Sequence, residues 1–144
     1  MITALIAEAT KRAGLIWITI GTHGHPYPAW HIWRPAPGAG SQPPGAAYLV
    51  TGPGEQPLPG LRAGHQVGVT VASSQTGGAL VTWTADVSRV EPGTREWDEV
   101  IGPLVAGRLN AVLAPGETSP AQRWARSGAV FRLSPVSGEI THRH

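Results

Sequence analysis

The chain has 144 residues, no cysteine and a formal net charge of +2, which is compatible with one domain built on a single core. The lack of cysteine excludes a disulfide framework, a thiolate nucleophile and a zinc–thiolate site, and it favours a cytoplasmic protein. No apolar run is long enough for a membrane-spanning helix, and the basic residues form no stripe of the kind that binds nucleic acid.

The first predicted element is a short helix over residues 4–13. Leu5, Ile6 and Ala9 share one face of this helix, and Gly14 follows as a suitable C-terminal stop. The basic residues come after the apolar stretch, which is the reverse of their order in a signal peptide. We therefore expect the segment to remain in the protein as a helix.

Residues 15–33, LIWITIGTHGHPYPAWHIW, predict two strands, at about 15–20 and 28–34, joined by a histidine-rich turn. The first strand is apolar on both faces, which is typical of a strand buried on both sides. Gly24 is expected to take a positive φ in the turn. Because one of the two apolar faces needs cover beyond a single core, the strand also predicts a homodimer.

Further strands are predicted at about 46–51, 65–72, 79–90 and 129–133, and the tail after about residue 134 is expected to fray. Thr94 is the expected N-cap of a helix that is kinked or broken at Gly102-Pro103, and Ser119-Pro120 starts another helix that ends near Arg126. These elements predict a single, mainly β domain over residues 1–144. It should be a barrel of six to seven mostly antiparallel strands with flanking helices.

Several short motifs carry a family resemblance that covers most of residues 4–133. Residues 18–33 form the first hairpin, residues 47–52 (AYLVTG) a strand that ends in Thr-Gly, and Leu61-Arg62-Ala63 comes just before the valine-rich strand at 67–71. In this order the motifs resemble the flavin-binding split β-barrel, the pyridoxamine 5′-phosphate oxidase-like superfamily. The resemblance implies a homodimer that binds FMN, or in some branches a deazaflavin, where the subunits meet.

The same resemblance implies a phosphate-binding cation a few residues after Thr51-Gly52. In this sequence the position falls near Gln56, which carries no charge, and Glu55 places a negative charge beside it. Because a phosphate needs charge-assisted donors, a lysine at position 56 is expected to tighten FMN binding. Arg34, Arg62 or the backbone N–H groups of the glycine-rich loop are the candidate substitutes for this cation.

Trp30, His31 and Trp33 are the candidate ligand-binding side chains of the hairpin. In one interpretation an indole stacks on a flavin ring while His31 hydrogen-bonds to the ring or to substrate. In the other, Trp30 and Ile32 fill the barrel while His31 and Trp33 pack against a second subunit. The sequence leaves both interpretations open.

Histidines at positions 23, 25 and 31 raise the question of a metal site. His23 and His25 flank a turn glycine, no carboxylate follows at a fixed spacing, and turn histidines are mostly solvated, so no metal site is predicted.

Two functions remain. The first is a flavin-dependent oxidoreductase, in which the cofactor supplies hydride transfer to a small organic substrate and no catalytic side chain can be named. The second is a split-barrel protein without flavin that holds an apolar or aromatic ligand in a tryptophan-lined cleft.

Overall fold

The computed structural model describes residues 2–21, 24–35, 45–73, 79–108 and 119–141. In chain order the elements are α1 (Ile2–Arg12), β1 (Ile16–Ile20), β2 (Pro26–Ala29), β3 (Ile32–Pro35), β4 (Gly45–Thr51), β5 (Gln66–Ser73), β6 (Ala79–Val90), α2 (Arg95–Gly107), α3 (Pro120–Ser127) and β7 (Ala129–Thr141). The described strands form one sheet in the order β2-β1-β5-β6-β7-β4-β3, and each neighbouring pair is antiparallel.

The sheet is curled so that its two edge strands approach each other at one end. β2 and β3 lie at opposite ends of the strand order, yet only Trp30 and His31 separate them along the chain. Three peptide steps from Ala29 to Ile32 span at most about 11 Å, so the two edges must come close together. The sheet is therefore curled into a barrel, and we call Trp30–His31 the seam link.

The barrel interior is one apolar cluster made by alternate residues of the strands, because successive side chains of a strand point to opposite faces. Its members include Ile16, Ile18, Leu49, Val67, Val69, Val71, Val81, Trp83, Ala85, Val87 and Leu133.

Helix α1 packs on this cluster through Ile6 and Ala9. Buried Thr10 accepts a hydrogen bond from Trp83 Nε1 at 3.2 Å, which attaches the helix to β6. Gly138 of β7 lies so close to Ile6 that a Cβ atom at this position would be 2.6 Å from Ile6 Cδ1. Glycine at position 138 therefore allows the helix to approach the sheet.

A second apolar cluster lies outside the barrel, under α2 and α3. It joins Trp97, Val100 and Leu104 of α2 and Trp124 of α3 to outward-facing residues of β4, β6 and β7. β4 is therefore buried on both faces, which accounts for its continuous apolar sequence. Both outer helices begin as predicted: Thr94 accepts a hydrogen bond from Trp97 N, and Ser119 accepts one from Ala121 N.

The structure corrects the predicted first hairpin. β1 is buried on one face only, since Ile16 and Ile18 are inaccessible whereas Trp17 is 44% exposed. Gly24 does not have a positive φ; a side chain there would instead meet the carbonyl oxygen of Ile20. Gly21, at the end of β1, has a positive φ of 81°. His23 lies outside the described residues.

Three other boundaries also differ from the sequence prediction. The single strand expected at 28–34 is divided into β2 and β3 by the seam link. β7 does not fray after residue 134; it continues to Thr141, paired with β6 through an irregularity at Thr84/Ala85. Helix α2 continues through Pro103 without a break.

Candidate functional site

The seam link separates the two predicted tryptophans into different layers. Trp33 packs against the barrel interior, with its ring edge-on to Trp83 at a centroid distance of 6.3 Å. Trp30 packs against the outer cluster, 6.4 Å from the ring of Trp124. The arrangement is thus the reverse of the second sequence interpretation, which placed Trp30 inside the barrel and Trp33 outside it.

His31 attaches the seam link to α1. Its Nε2–H donates to the carbonyl oxygen of Thr10 at 2.7 Å, which fixes the neutral tautomer with its proton on Nε2. Nδ1 is buried and has no hydrogen-bond partner among the residues that the structure describes. Burial lowers the pKa of His31. The backbone of Thr10, which is hydrogen-bonded to Nε2, and that of Ala29, which completes no hydrogen bond to the ring, raise the pKa and offset part of this effect. Both nitrogens therefore face protein, and the ring is placed to hold the seam.

Thr51 and Gly52 end β4 where the chain crosses close to the start of β7. Gly52 has φ of 132°, and a Cβ atom there would be 2.7 Å from Gly128 Cα. Glycine is therefore required by the close approach of two backbones. This packing accounts for the Thr-Gly pair without a bound phosphate.

Gln56 holds the seam link from the opposite side to His31. Its Oε1 accepts from Trp30 N at 2.8 Å, and its Nε2 donates to the carbonyl oxygens of Trp30 and Val50, both at 3.1 Å. Both amide hydrogens are thus used within the chain. This leaves Gln56 without a donor for a phosphate, so its side chain does not fit the cofactor-binding role expected of it.

Glu55 is a candidate site residue whose surroundings the sequence did not predict. Its side chain is only 1% exposed, and its carboxylate accepts from Arg108 Nε at 2.8 Å and from Trp124 Nε1 at 3.1 Å. Arg123 Nη1 lies 3.7 Å from the same carboxylate. Arg108 and Arg123 follow Glu55 by 53 and 68 residues, which is why no local pattern could predict the contact.

The other predicted cations, Arg34 and Arg62, are exposed residues of β3 and of the connection before β5. The structure therefore brings Trp30, His31 and Gln56 together at the seam, with Thr51 and Gly52 nearby through the end of β4. It does not bring Arg34 or Arg62 into the network that Gln56 and Glu55 form. The Gln56 side chain consequently does not fit the phosphate of a flavin nucleotide, because both of its amide hydrogens already bind carbonyl oxygens of the chain itself.

A second candidate region is the outer face of β1, β2 and β5, which neither outer helix covers. Trp17 lies here, opposite Pro28 of β2 and Thr70 of β5, and Thr70 is opposite Thr82 of β6. Trp17, Pro28, Thr70 and Thr82 carry no charge, and we call these four residues the Trp17 face. Beside it is a depression of about 390 Å³ lined by Thr82, Trp83, Thr84, Ser137 and Gly138.

Within the described ranges, no group of three or more His, Cys, Asp or Glu residues is arranged to hold a metal ion. The same part of the chain contains no helix that is long and apolar enough to cross a membrane.

Comparison with known proteins gives matches in structure alone: no protein-family model and no curated protein matches the sequence. The heme storage protein HutZ from Vibrio cholerae is similar with a TM-score of 0.57 and 16% identity, over 96% of this chain and 93% of that one. A protein assigned as a pyridoxamine 5′-phosphate oxidase from Listeria innocua has a TM-score of 0.53 and 17% identity, over 97% and 98%. An FAD-binding protein from Mesorhizobium loti has a TM-score of 0.54 and 14% identity, over 98% and 95%.

The curled antiparallel sheet, its seam and its outer helices define a split β-barrel. The fold is that of the pyridoxamine 5′-phosphate oxidase-like flavin-binding proteins, as the sequence motifs predicted. At these identities the likeness establishes the fold alone.

Proposed function

We propose that this protein is a homodimeric, flavin-binding split-barrel oxidoreductase that acts on a small organic substrate. The observation that carries this proposal is the likeness over nearly the whole chain to proteins such as the FAD-binding protein from M. loti. A bound flavin supplies hydride chemistry itself, so the protein's part is to position the ring and exclude water. A cytoplasmic location remains a prediction of the cysteine-free sequence.

The Trp17 face supports the homodimer. Leu15 and Trp17 are large apolar residues that are 52% and 44% exposed on or beside β1. An uncharged sheet face with an exposed indole is suited to burial against a second protein surface, and a closed two-fold dimer would cover the same face on both copies.

The phosphate of FMN is not expected to gain a charge-assisted contact from Glu55 or Gln56, because Glu55 is an anion and the Gln56 amide already binds the backbone. We therefore expect riboflavin and FMN to bind with affinities within roughly threefold of each other, since the two ligands differ only by that phosphate.

Absorbance of the purified protein and titration with riboflavin and FMN test this proposal. Flavin absorbance or reconstitution would support it. FMN binding at least about tenfold tighter than riboflavin would show that a cation holds the phosphate, and Arg34→Gln and Arg62→Gln would then identify which one. A heme spectrum without flavin would contradict the proposal.

The second candidate function is a flavin-free protein that binds an apolar or aromatic ligand. The loop after β4 favours it, because the side-chain amide of Gln56 is already bound to backbone carbonyls and Glu55 brings a carboxylate where a cation would be needed. A colourless preparation that resists reconstitution with both riboflavin and FMN would support this function over the first.

A further inference from the structure

A second depression, of about 480 Å³, lies where β5 begins beside β6. It shares no residue with the seam link, with the loop after β4 or with the Trp17 face. Its volume is within the range of pockets that hold small molecules. We call it the β6 edge pocket, and its lining residues are Ala63, Gly64, His65, Asp86, Val87, Ser88 and Arg89.

The pocket forms because β6 extends past the start of β5. The last backbone hydrogen bonds between the two segments join Gly64 N to the carbonyl oxygen of Val87 at 2.9 Å, and Val87 N to that of His65 at 3.0 Å. β6 continues to Val90, while the chain before β5 turns at Gly64, which has φ of 86°. Among the described residues, a Cβ atom at Gly64 would meet nothing within 4 Å, so the space over this turn is open.

Asp86 and Arg89 bring opposite charges to the pocket from the two faces of one strand. They are three residues apart in β6, so their side chains leave on opposite faces and their Cα atoms are about 10 Å apart. A small molecule on one face of a sheet could contact only one of them. At the end of β6 that β5 leaves uncovered, a single elongated molecule can contact both.

Both charged groups keep bonding capacity for a ligand. Asp86 Oδ1 accepts from Gln66 Nε2 at 2.8 Å, and the described part of the chain gives its second oxygen no partner. Arg89 Nε lies 3.4 Å from Glu91 Oε1, and its Nη2 lies 3.5 Å from the carbonyl oxygen of Gly128. Both contacts are longer than the roughly 2.7–2.9 Å of a good charge-assisted hydrogen bond, so a carboxylate at shorter range would compete well for this guanidinium.

His65 and Ser88 add an imidazole and a hydroxyl between the two charged groups. Within the described ranges neither side chain has a hydrogen-bond partner, and both can donate to or accept from a polar ligand. The pocket thus combines a cation, an anion and two neutral polar groups. This set is complementary to a molecule that itself carries one charge of each sign.

We propose that the β6 edge pocket binds a small zwitterion, with the ligand carboxylate on Arg89 and the ligand ammonium group on Asp86. The separation of the two side chains selects an amino acid in which several carbon atoms lie between the two charges. This site is separate from the seam and does not depend on whether the protein binds a flavin.

Titration calorimetry of the protein with 6-aminohexanoate, at ionic strength held constant with NaCl, tests this inference. We expect saturable binding of this probe. Hexanoate and hexylamine, which each lack one of the two charges, should bind at least about tenfold more weakly. Glycine should bind at least about fivefold more weakly, because its two charges are too close together to reach both side chains.

Asp86→Asn and Arg89→Gln should each weaken the binding of 6-aminohexanoate at least about tenfold. Asp86→Asn should also bind hexanoate and 6-aminohexanoate about equally, because the partner of the ammonium group is gone. Asp98→Asn and Arg95→Gln are the matched controls, since both residues are exposed on α2, outside the pocket, and the charge changes are the same. The control variants should keep the affinity of the parent.

Three results would overturn the inference. The first is a parent protein that does not bind 6-aminohexanoate in the millimolar range, or that binds hexanoate, hexylamine or glycine as tightly. The second is an equal loss of affinity in the control variants. The third is an Asp86→Asn variant that still prefers the zwitterion over hexanoate. The ligand comparison uses the parent alone, so it decides the matter even where a variant does not fold.

Discussion

Gln56 and His31 attach the seam link to different parts of the chain. Gln56 binds the backbone of Trp30 and joins it to the end of β4, and His31 binds the last turn of α1. These polar side chains bond to backbone groups that would otherwise be partly buried and unpaired, which is costly in a protein interior. Both residues therefore act as structural anchors of the barrel seam.

We predict that Gln56→Lys destabilises the protein by about 2–3 kcal/mol, because an ammonium group cannot accept from Trp30 N and cannot reproduce the paired amide geometry. This reverses the sequence expectation that lysine would improve the site by binding phosphate. Gln66→Lys is the control, since Gln66 is exposed and a lysine there can still pair with Asp86. Urea denaturation of the two variants should separate them, and equal midpoints would contradict the anchoring role of Gln56.

Acidification is predicted to destabilise the protein through His31. Its pKa in the folded chain is lowered, so between about pH 6.5 and that lower value the unfolded chain holds more protons than the folded one. The contribution of neutral His31 to stability is therefore fully present above about pH 6.5 and is lost as the pH falls toward the pKa of His31 in the folded chain.

Urea midpoints at about pH 7.5 and about pH 5 measure this loss. His31→Gln, which keeps a donor for the carbonyl oxygen of Thr10 and does not titrate, should lose less stability over this range than the parent. His65→Gln, at an exposed position, should behave like the parent. An unchanged pH dependence in His31→Gln would assign the effect to other groups.

At the scale of elements, backbones that approach closely explain where glycine is needed. The end of β4 approaches the start of β7 at Gly52 and Gly128, and Gly24 lies against the backbone of Ile20 at the end of β1. Positive φ and lack of space are separate reasons for a glycine: Gly52 has both, whereas Gly24 has only the second. The effect of a substitution therefore depends on which reason applies.

We predict that Gly52→Ala destabilises the protein by at least about 2 kcal/mol, because φ of 132° is strained for alanine and the new methyl group would meet Gly128 Cα. Gly14→Ala should change stability by no more than about 0.5 kcal/mol, since no atom lies within 4 Å of its added carbon. Thermal or chemical unfolding of the two variants checks the difference. A Gly52→Ala protein as stable as the parent would mean that the crossing is looser than described.

At the scale of the whole molecule, the outer helices cover only part of the barrel. α2 and α3 pack on β3, β4 and the adjoining parts of β6 and β7, while neither of these two helices packs on the outer face of β1, β2 and β5. The apolar pattern of β1, which the sequence assigned to burial on both sides, is satisfied on one side by the core. A second subunit is the proposed cover for the other side.

We predict that Trp17→Lys converts a homodimer into a monomer of about 15 kDa, because two lysines would face each other or face apolar groups across the two-fold interface. Ala106→Lys is the control, since Ala106 is exposed on α2, away from the Trp17 face. Light scattering at micromolar concentration measures the mass of each variant. A monomeric parent would contradict the proposed dimer. A dimeric Trp17→Lys variant would show that the interface lies elsewhere.

The sequence predicted those features of the fold that depend on neighbouring residues. The alternation in β5 and β6 and the helix caps Thr94 and Ser119 are local patterns, and the structure confirms them. The division of the second strand was missed because apolar and aromatic residues run unbroken through the seam link. The side on which a strand residue lies depends on how the sheet curls, so Trp30 and Trp33 could not be assigned to a layer.

The same limit applies to the candidate site. Gln56 is an uncharged residue where the family resemblance implies a cation, but its partners, Trp30 and Val50, are set by tertiary structure. Glu55 was expected to repel an anion as a free charge. Its partners lie more than fifty residues away along the chain, and no spacing rule connects them.

Two prolines on β2 have a consequence for how copies of this protein can meet. Pro26 and Pro28 lie opposite Thr19 and Trp17, so the residues that exchange hydrogen bonds with β1 are Tyr27 and Ala29. The N–H positions on the other side of β2 belong to the prolines, which have no hydrogen to donate. An incoming strand would find only carbonyl oxygens there, so β2 is a poor starting point for strand-by-strand polymerisation.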